Sequence, residues 1–86
     1  MSENLLSVCI IARNEEKMLA ECLESVASIA NEIILVDTGS EDSTVAIAES
    51  YGCRVLYHTW NNSFADARNI ALEAAECEWI LSIDCD

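Results

Sequence analysis

Asp84 and Asp86 are the pair of side chains in this sequence best suited to hold a metal ion. They directly follow Glu78 to Ile83, an apolar run with the length and composition of a β-strand. Carboxylate oxygens are hard ligands, and two of them beyond a strand end can bind Mg²⁺ or Mn²⁺ together with water and phosphate oxygens. Because a short Asp-x-Asp pattern also arises by chance, the prediction depends on its position after the strand more than on the pattern itself.

Charged residues also follow the earlier apolar runs. Arg13 and Glu15 come after the first run, and Asp37 opens the segment DTGS after the second. Asp37 has two interpretations, since an Asp at this place can contact a nucleotide or simply form a turn with the glycine that follows. Arg68, near the start of the third helical segment, could supply a cationic contact to a phosphate. His58 follows the third run, but a single His is too generic to be assigned a metal or a catalytic step.

Apolar runs of strand length alternate with segments in which apolar residues recur every three or four positions. The predicted strands are Leu5–Ala12, Glu32–Val36, Cys53–Tyr57 and Glu78–Ile83. Two of the predicted helices span Ser43–Tyr51 and Phe64–Ala75. The remaining helix follows the first strand and is expected to bury a face formed by Met18, Leu19, Cys22, Leu23, Val26 and Ile29.

This alternation predicts an α/β fold with βαβ units, a parallel sheet and a Rossmann-like strand order of 3-2-1-4. All strands of a parallel sheet end on the same edge, and ligands bind where the winding direction reverses, here between the first and fourth strands. We therefore expect Arg13, Glu15, Asp37, Asp84 and Asp86 to gather on one rim around a nucleotide.

Polar residues that could cap a helix precede each helical segment. Asn14 is the predicted N-cap of the first helix, and Asp42 or Ser40 that of the second. Ser63, followed three residues later by Asp66, resembles a capping box at the start of the third helix.

The chain is strongly acidic, with a net charge of −12 from 16 acidic residues against four Lys and Arg. Such a charge repels the phosphates of nucleic acids and of anionic lipids, so a nucleic-acid function is not expected. A phosphorylated small molecule is compatible with it only where a divalent cation or an arginine offsets the carboxylates.

Five cysteines without a C-x-x-C pair predict reduced thiols and a cytoplasmic protein. Residues 1–4 lack the basic start of a signal peptide, and the longest apolar run is far shorter than a membrane span. We therefore expect neither secretion nor a transmembrane segment.

Four segments of the sequence resemble, in order and spacing, the family 2 glycosyltransferases of GT-A fold. They cover most of the chain and are Ser7 to Glu16 (SVCIIARNEE), Ile33 to Thr44 (IILVDTGSEDST), Ala65 to Leu72 (ADARNIAL) and Trp79 to Asp86 (WILSIDCD). The resemblance implies transfer of a sugar from a nucleoside diphosphate, with a UDP-sugar favoured, to an acceptor.

The same resemblance assigns a role to each residue on the predicted rim. Asp37 matches the acid that contacts the nucleotide base, and Arg68 matches an arginine that contacts the nucleotide. The remaining matches are Ala12, Arg13 and Glu15 in the loop along the nucleoside, and the Asp-x-Asp motif of Asp84 and Asp86, whose last acid ligates Mn²⁺ or Mg²⁺.

Residues 1–86 would then form a single truncated domain, the nucleotide-sugar-binding half of such an enzyme. The family's acceptor site and catalytic base have no counterpart here, so no catalytic residue is assigned and the chain alone is expected to be inactive. The run from Tyr57 to Asn69 resembles members joined to tetratricopeptide repeats, some of which glycosylate peptides or proteins. The acceptor is therefore left open as a peptide, a protein or a glycan.

Two other functions remain open from the sequence. A related nucleotidyltransferase-type phosphate enzyme would use similar strand ends, although it normally has a glycine-rich first loop that is missing here. The second alternative is a non-catalytic fragment that self-associates, because an exposed edge of the fourth strand could pair with another copy to form a homodimer. A dinucleotide-binding domain is excluded, since Gly39 and Gly52 are the only glycines and cannot form G-x-G-x-x-G.

Overall fold

The computed structural model describes residues 6–84, where strands and helices alternate as the sequence predicts. The elements are β1 (Leu6–Ala12), α1 (Glu16–Ala27), β2 (Glu32–Asp37), α2 (Thr44–Ser50), β3 (Arg54–Tyr57), α3 (Phe64–Ala74) and β4 (Trp79–Asp84). The strands form one parallel sheet in the order β3-β2-β1-β4. The predicted α/β class, parallel pairing and strand order are confirmed.

Successive side chains of β1 and β2 point to opposite sides of the sheet, so both faces carry apolar side chains. Helices cover both faces. The face towards α1 and α2 buries a cluster formed by Val8, Ile10, Ala12, Leu19, Leu23, Val26, Leu35 and Ala48. The face towards α3 buries Cys9, Ile34, Val36, Ala67 and Ala71. Both central strands are thus covered on both sides, which explains their continuous apolar sequence.

The buried face of α1 is narrower than the sequence predicted. Leu19, Leu23 and Val26 are buried and Cys22 is half-buried. Met18, however, is 46% exposed, and Ile29 is 55% exposed because α1 ends at Ala27. The expectation that these two side chains share the buried face was wrong.

The start of α3 has the predicted cap. The Ser63 hydroxyl accepts a hydrogen bond from the backbone N–H of Asp66 at 3.2 Å. The Asp66 carboxylate accepts from the Asn61 side-chain amide at 2.7 Å instead of returning to the Ser63 N–H. Ser63 therefore fills its half of the capping box, while Asp66 fixes the loop before the helix.

A polar cluster ties the strands together at the amino edge of the sheet. The buried Ser7 hydroxyl donates to Glu32 Oε1 at 2.6 Å and accepts from the Cys77 backbone N–H at 3.2 Å. Burial alone would raise the pKa of Glu32, but hydrogen bonds from Ser7 and from the Glu76 N–H, with the Arg54 guanidinium nearby, hold that pKa below its usual value.

An open groove of about 410 Å³ lies at this amino edge, beside Glu32, Arg54 and Cys77. Arg54 lies 3.8 Å from Glu32 and 3.7 Å from Glu76, so the charged groups of the groove already pair with one another. The groove is also at the opposite end of the strands from the predicted nucleotide site. Within residues 6–84, no helix has the length and apolar character needed to cross a membrane.

Candidate functional site

The carboxyl ends of all four strands lie side by side. Ala12 pairs with Asp37, and Asp37 pairs with Tyr57, which ends β3. On the other side of β1, Ile11 pairs with Asp84. The residues that end the strands therefore meet along one edge, which is where ligands bind in sheets of this type.

Asp37 is the best-defined polar group at this edge. It is only 4% exposed, and its Oδ2 accepts hydrogen bonds from the backbone N–H groups of Gly39 at 3.2 Å and Ser40 at 3.0 Å. Its other oxygen, Oδ1, is buried and has no hydrogen-bond partner in the described part of the chain. The carboxylate thus forms the turn that the sequence allowed and still has one oxygen left for a ligand.

Arg13 lies against the same turn. Gly39 has φ +119°, a backbone conformation that side-chain-bearing residues rarely adopt. A Cβ at Gly39 would lie 3.9 Å from Arg13 Nε, so the guanidinium sits close beside the turn. Arg13 is exposed and can supply positive charge next to the buried Asp37 carboxylate.

The loops after β1 and β2 are joined by hydrogen bonds in both directions. The Asn14 N–H donates to Ser40 Oγ at 2.8 Å, and the Glu41 N–H donates back to Asn14 Oδ1 at 2.7 Å. The next residue of the first loop, Glu15, donates its backbone N–H to Thr44 Oγ1 at 2.8 Å. We call these contacts the loop interlock, because each loop satisfies backbone groups of the other.

Two of the predicted helix caps take different roles in this interlock. The N-cap of α1 is Glu15 and not Asn14, whose φ of +54° is incompatible with entry into a helix. The N-cap position of α2 is Ser43, although Asp42 Oδ1 accepts the Thr44 N–H at 2.9 Å. The predicted N-cap at Asn14 was therefore wrong, and Ser40 does not cap α2, whereas the Asp42 side chain caps the first N–H of α2 as one of the two predicted candidates.

Hydrogen bonds from Thr44 and Glu16 stabilise Asp42 as a carboxylate. The Thr44 hydroxyl donates to Asp42 Oδ1 at 2.5 Å, and the Glu16 N–H lies 3.3 Å from Oδ2. These hydrogen bonds, with that from the Thr44 hydroxyl the largest, lower the pKa of Asp42 below its usual value. The acid stabilises the N-termini of α1 and α2 together.

The other predicted rim residues are placed by the elements that carry them. Ala12 is buried, and its carbonyl accepts the Thr38 N–H at 3.1 Å, so it joins the ends of β1 and β2. Glu15 is half-buried at the start of α1. Arg68 is exposed on α3, a helix that begins on the side of the sheet where β3 ends.

His58 is a polar group at this edge that the sequence reasoning set aside. It follows β3, and its backbone N–H donates to the Asp37 carbonyl at 2.9 Å. Its side-chain Nε2 is buried and has no hydrogen-bond partner among the described residues. Its position directly after a predicted strand was the signal that could have singled it out.

One of the two predicted metal ligands, Asp84, lies at the end of β4. Asp84 is the last residue of the strand, and only its backbone is described; Asp86 lies outside the described residues. Within residues 6–84, no cluster of three His, Cys, Asp or Glu side chains could hold a metal ion. The donor chemistry of Asp84 and Asp86 fits a hard divalent cation, and the end of β4 is the correct edge of the sheet for it.

The parallel sheet of order β3-β2-β1-β4, with polar loops at its carboxyl edge, makes this a Rossmann-like α/β domain of the GT-A type. The chain belongs to glycosyl transferase family 2, whose family model matches residues 7–86. The family match favours a glycosyltransferase over the nucleotidyltransferase that the sequence alone left open.

Similar proteins include glycosyltransferases and a repeat protein. The chain is 44% identical to a TPR repeat-containing protein of Synechococcus elongatus over 94% of this chain and 20% of that protein. It is 43% identical to the SPbeta prophage-derived glycosyltransferase SunS of Bacillus subtilis, over 90% of this chain and 19% of SunS. The chain thus spans about a fifth of the length of these relatives.

The fold is also similar to a solved glycosyltransferase structure. The crystal structure of glucosyl-3-phosphoglycerate synthase from Mycobacterium tuberculosis, in complex with Mn²⁺, UDP and glucosyl-3-phosphoglycerate, matches with a TM-score of 0.82 and 26% identity. The match covers 95% of this chain and 33% of the synthase. The same synthase has been solved with Mn²⁺, UDP-glucose and phosphoglyceric acid.

Proposed function

We propose that this chain is the part of a glycosyltransferase that binds the sugar donor, a nucleoside-diphosphate sugar, and its divalent cation. The nucleotide lies along the carboxyl edge of the sheet, with its base at Asp37 and its diphosphate towards Asp84 and Asp86. Arg13 and Arg68 supply positive charge near the phosphates, while Ala12 and Glu15 form the wall beside the nucleoside.

The observation that carries this proposal is Asp37 Oδ1, a buried oxygen with no hydrogen-bond partner within residues 6–84. A buried carboxylate oxygen without a partner costs about 1–3 kcal/mol or more, so a ligand that donates to it gains that amount back. Oδ2 is already used by Gly39 and Ser40, which leaves one acceptor for the ligand. Uracil offers one N–H on its pairing edge, whereas guanine offers two neighbouring donors, so this acceptor supports a UDP-sugar.

A divalent cation, Mn²⁺ or Mg²⁺, would be held by Asp84 and Asp86. Bound there, it neutralises the diphosphate and stabilises it as a leaving group. This role resolves the conflict between a net charge of −12 and an anionic ligand. The Mn²⁺ complexes of the mycobacterial synthase support the same type of ion for this chain.

We propose that the acceptor is a peptide, a protein or a glycan. The acceptor-binding site and the catalytic base belong to regions that the relatives contain beyond this match. Residues 1–86 form a single domain that binds the donor and does not transfer the sugar by itself. The similarity to a TPR repeat-containing protein supports the repeat-associated subgroup. The thiols of Cys9, Cys22, Cys53 and Cys77 are free, which supports a location in a reducing compartment, the cytoplasm.

Titration of UDP into the protein in the presence of Mn²⁺, followed by calorimetry, tests the proposal. We expect saturable binding that weakens about tenfold, or about 1.4 kcal/mol, when Mn²⁺ is omitted or when Asp86 is replaced by Ala. Asp66→Ala serves as the control, because it removes the same charge from a helix start. Equal binding with and without Mn²⁺ would argue against the cation site, and no binding of UDP at all would overturn the proposal.

A second candidate function, self-association without a ligand, is favoured by the exposed edge of β4. Within the described residues no strand pairs with its outer edge, and its apolar side chains Trp79, Ile80 and Leu81 are 63%, 43% and 39% exposed. Unpaired apolar edge strands pair readily with another chain. We propose that a second copy of this chain occupies the edge.

Sedimentation velocity over a concentration series checks this self-association. We expect dimers whose fraction rises with concentration, and we expect Leu81→Lys to keep the protein monomeric, since a lysine on an edge strand opposes pairing. Leu72→Lys is the matched control, because Leu72 is similarly exposed, at 38%, but lies on α3. A wild-type protein that stays monomeric throughout the series would exclude the dimer.

A further inference from the structure

Two buried side-chain polar atoms within residues 6–84 have no hydrogen-bond partner, Asp37 Oδ1 and His58 Nε2. They belong to residues that are neighbours at the carboxyl edge, since the His58 N–H donates to the Asp37 carbonyl at 2.9 Å. Buried polar groups in folded proteins are nearly always paired, and each exception needs an explanation. Two exceptions at one ligand-binding edge, on residues that are joined by a backbone hydrogen bond, are explained most simply by one ligand that pairs with both.

We propose that His58 recognises the nucleotide base together with Asp37, and that its Nε2 donates a hydrogen bond to a carbonyl oxygen of uracil. This inference rests on the proposed function, the binding of a UDP-sugar. It adds a specificity-determining residue that the family resemblance did not assign.

The chemistry of the two groups fits uracil in a defined way. A carboxylate can only accept, so Asp37 Oδ1 takes the imide N–H of the base. That N–H lies between two carbonyl oxygens, and the protein group beside Asp37 must therefore be a donor. An imidazole with a proton on Nε2 is such a donor.

The same pair disfavours cytosine. The ring nitrogen of cytosine at the equivalent position is an acceptor and would face the Asp37 carboxylate. With Nε2 placed on the side of uracil O4, the amino group that replaces O4 in cytosine would face the Nε2 proton. Both contacts would place like partners against each other in a buried site, where unpaired groups are costly. His58 and Asp37 together therefore favour UDP over CDP.

The proposal is tested by measuring the affinities of His58→Ala and His58→Gln for UDP, CDP and pyrophosphate in the presence of Mn²⁺. One neutral hydrogen bond contributes about 0.5–1.5 kcal/mol, so we expect His58→Ala to bind UDP about 3- to 10-fold more weakly. Its preference for UDP over CDP should fall, and its affinity for pyrophosphate, which has no base, should not change. His58→Gln should recover most of the UDP affinity, because the Gln amide nitrogen can replace Nε2 as the donor.

Each result separates this inference from the function on which it rests. Wild-type affinity of His58→Ala for UDP, or an equal loss for UDP and pyrophosphate, would overturn the role of His58 and leave UDP binding intact. A wild-type protein that binds neither ligand would overturn both.

A measurement on the wild-type protein covers the case in which His58→Ala fails to fold. The imidazole nitrogen resonances of His58 should report a proton on Nε2 and should shift when uridine is added. Nitrogen resonances that do not respond to saturating uridine would overturn the proposal without any substitution.

Discussion

Replacing Asp37 by Asn is expected to weaken the binding of UDP by about 10- to 100-fold, with Mn²⁺ present throughout. Hydrogen bonds to charged groups contribute about 1.5–3 kcal/mol, which sets this range. An asparagine can keep its oxygen on the Gly39 and Ser40 N–H groups, but it then presents an NH₂ where the unpaired Oδ1 was. The NH₂ group of the asparagine would then face the imide N–H of the base, and two donors cannot form a hydrogen bond. The affinities are measured by calorimetric titration.

Asp66→Asn is the matched control for Asp37→Asn. It removes the same charge from an exposed carboxylate that is bonded to the Asn61 side chain, at the start of α3. We expect its affinity for UDP to stay within about twofold of the wild type, as for most surface substitutions. If both variants lost affinity equally, Asp37 would act through overall charge and not through contact with the base.

Replacing Thr44 by Val is expected to lower the free energy of unfolding by about 1–3 kcal/mol, the cost of leaving buried hydrogen-bonding groups unpaired. Thr44 is fully buried, and its hydroxyl both accepts the Glu15 N–H and donates to Asp42. Valine has nearly the same shape, so the effect isolates the hydroxyl. Urea unfolding measures the change, and the melting temperature should fall by about 4–8 °C per kcal/mol in a domain of this size.

Thr38→Val controls for the loss of a buried hydroxyl as such. Thr38 is 4% exposed, but its hydroxyl lies 3.4 Å from the Ala12 carbonyl, which already accepts the Thr38 N–H. A contact this long contributes little, so we expect a change below about 0.5 kcal/mol. Equal effects of the two substitutions would mean that the loop interlock adds nothing specific to the stability of the fold.

The strands and their order could be predicted from the sequence because they depend on local period and on general winding rules. β1 and β2 are continuous apolar runs, and chains that alternate strands and helices rarely depart from right-handed crossovers. The edge on which Asp37 and Asp84 lie follows from the same rules. The apolar period of a segment and the winding rules do not depend on which particular side chains the segment later contacts.

The details of the site could not be predicted in this way, because they arise between segments far apart in sequence. Asn14 has the composition of an N-cap, yet Ser40 and Glu41 bind it from the next loop and hold it outside the helix. That His58 Nε2 is buried without a partner in the described part of the chain is a result of packing, which no local pattern encodes. Met18 was assigned to the buried face by spacing alone, although it stays half exposed.

The pairing of β1 with β4 also has a consequence for the order in which the domain folds. Ser7 binds the backbone of Cys77, 70 residues further along the chain, whereas β1, β2 and β3 follow one another closely. Contacts between distant segments form late, since the loop they close costs the most entropy. We therefore expect β4 to add last and to open first in native-state fluctuations. Asp84 would leave the rim in such an opening while Asp37 and His58 stayed in place, so the metal side of the site is less persistent than the base side.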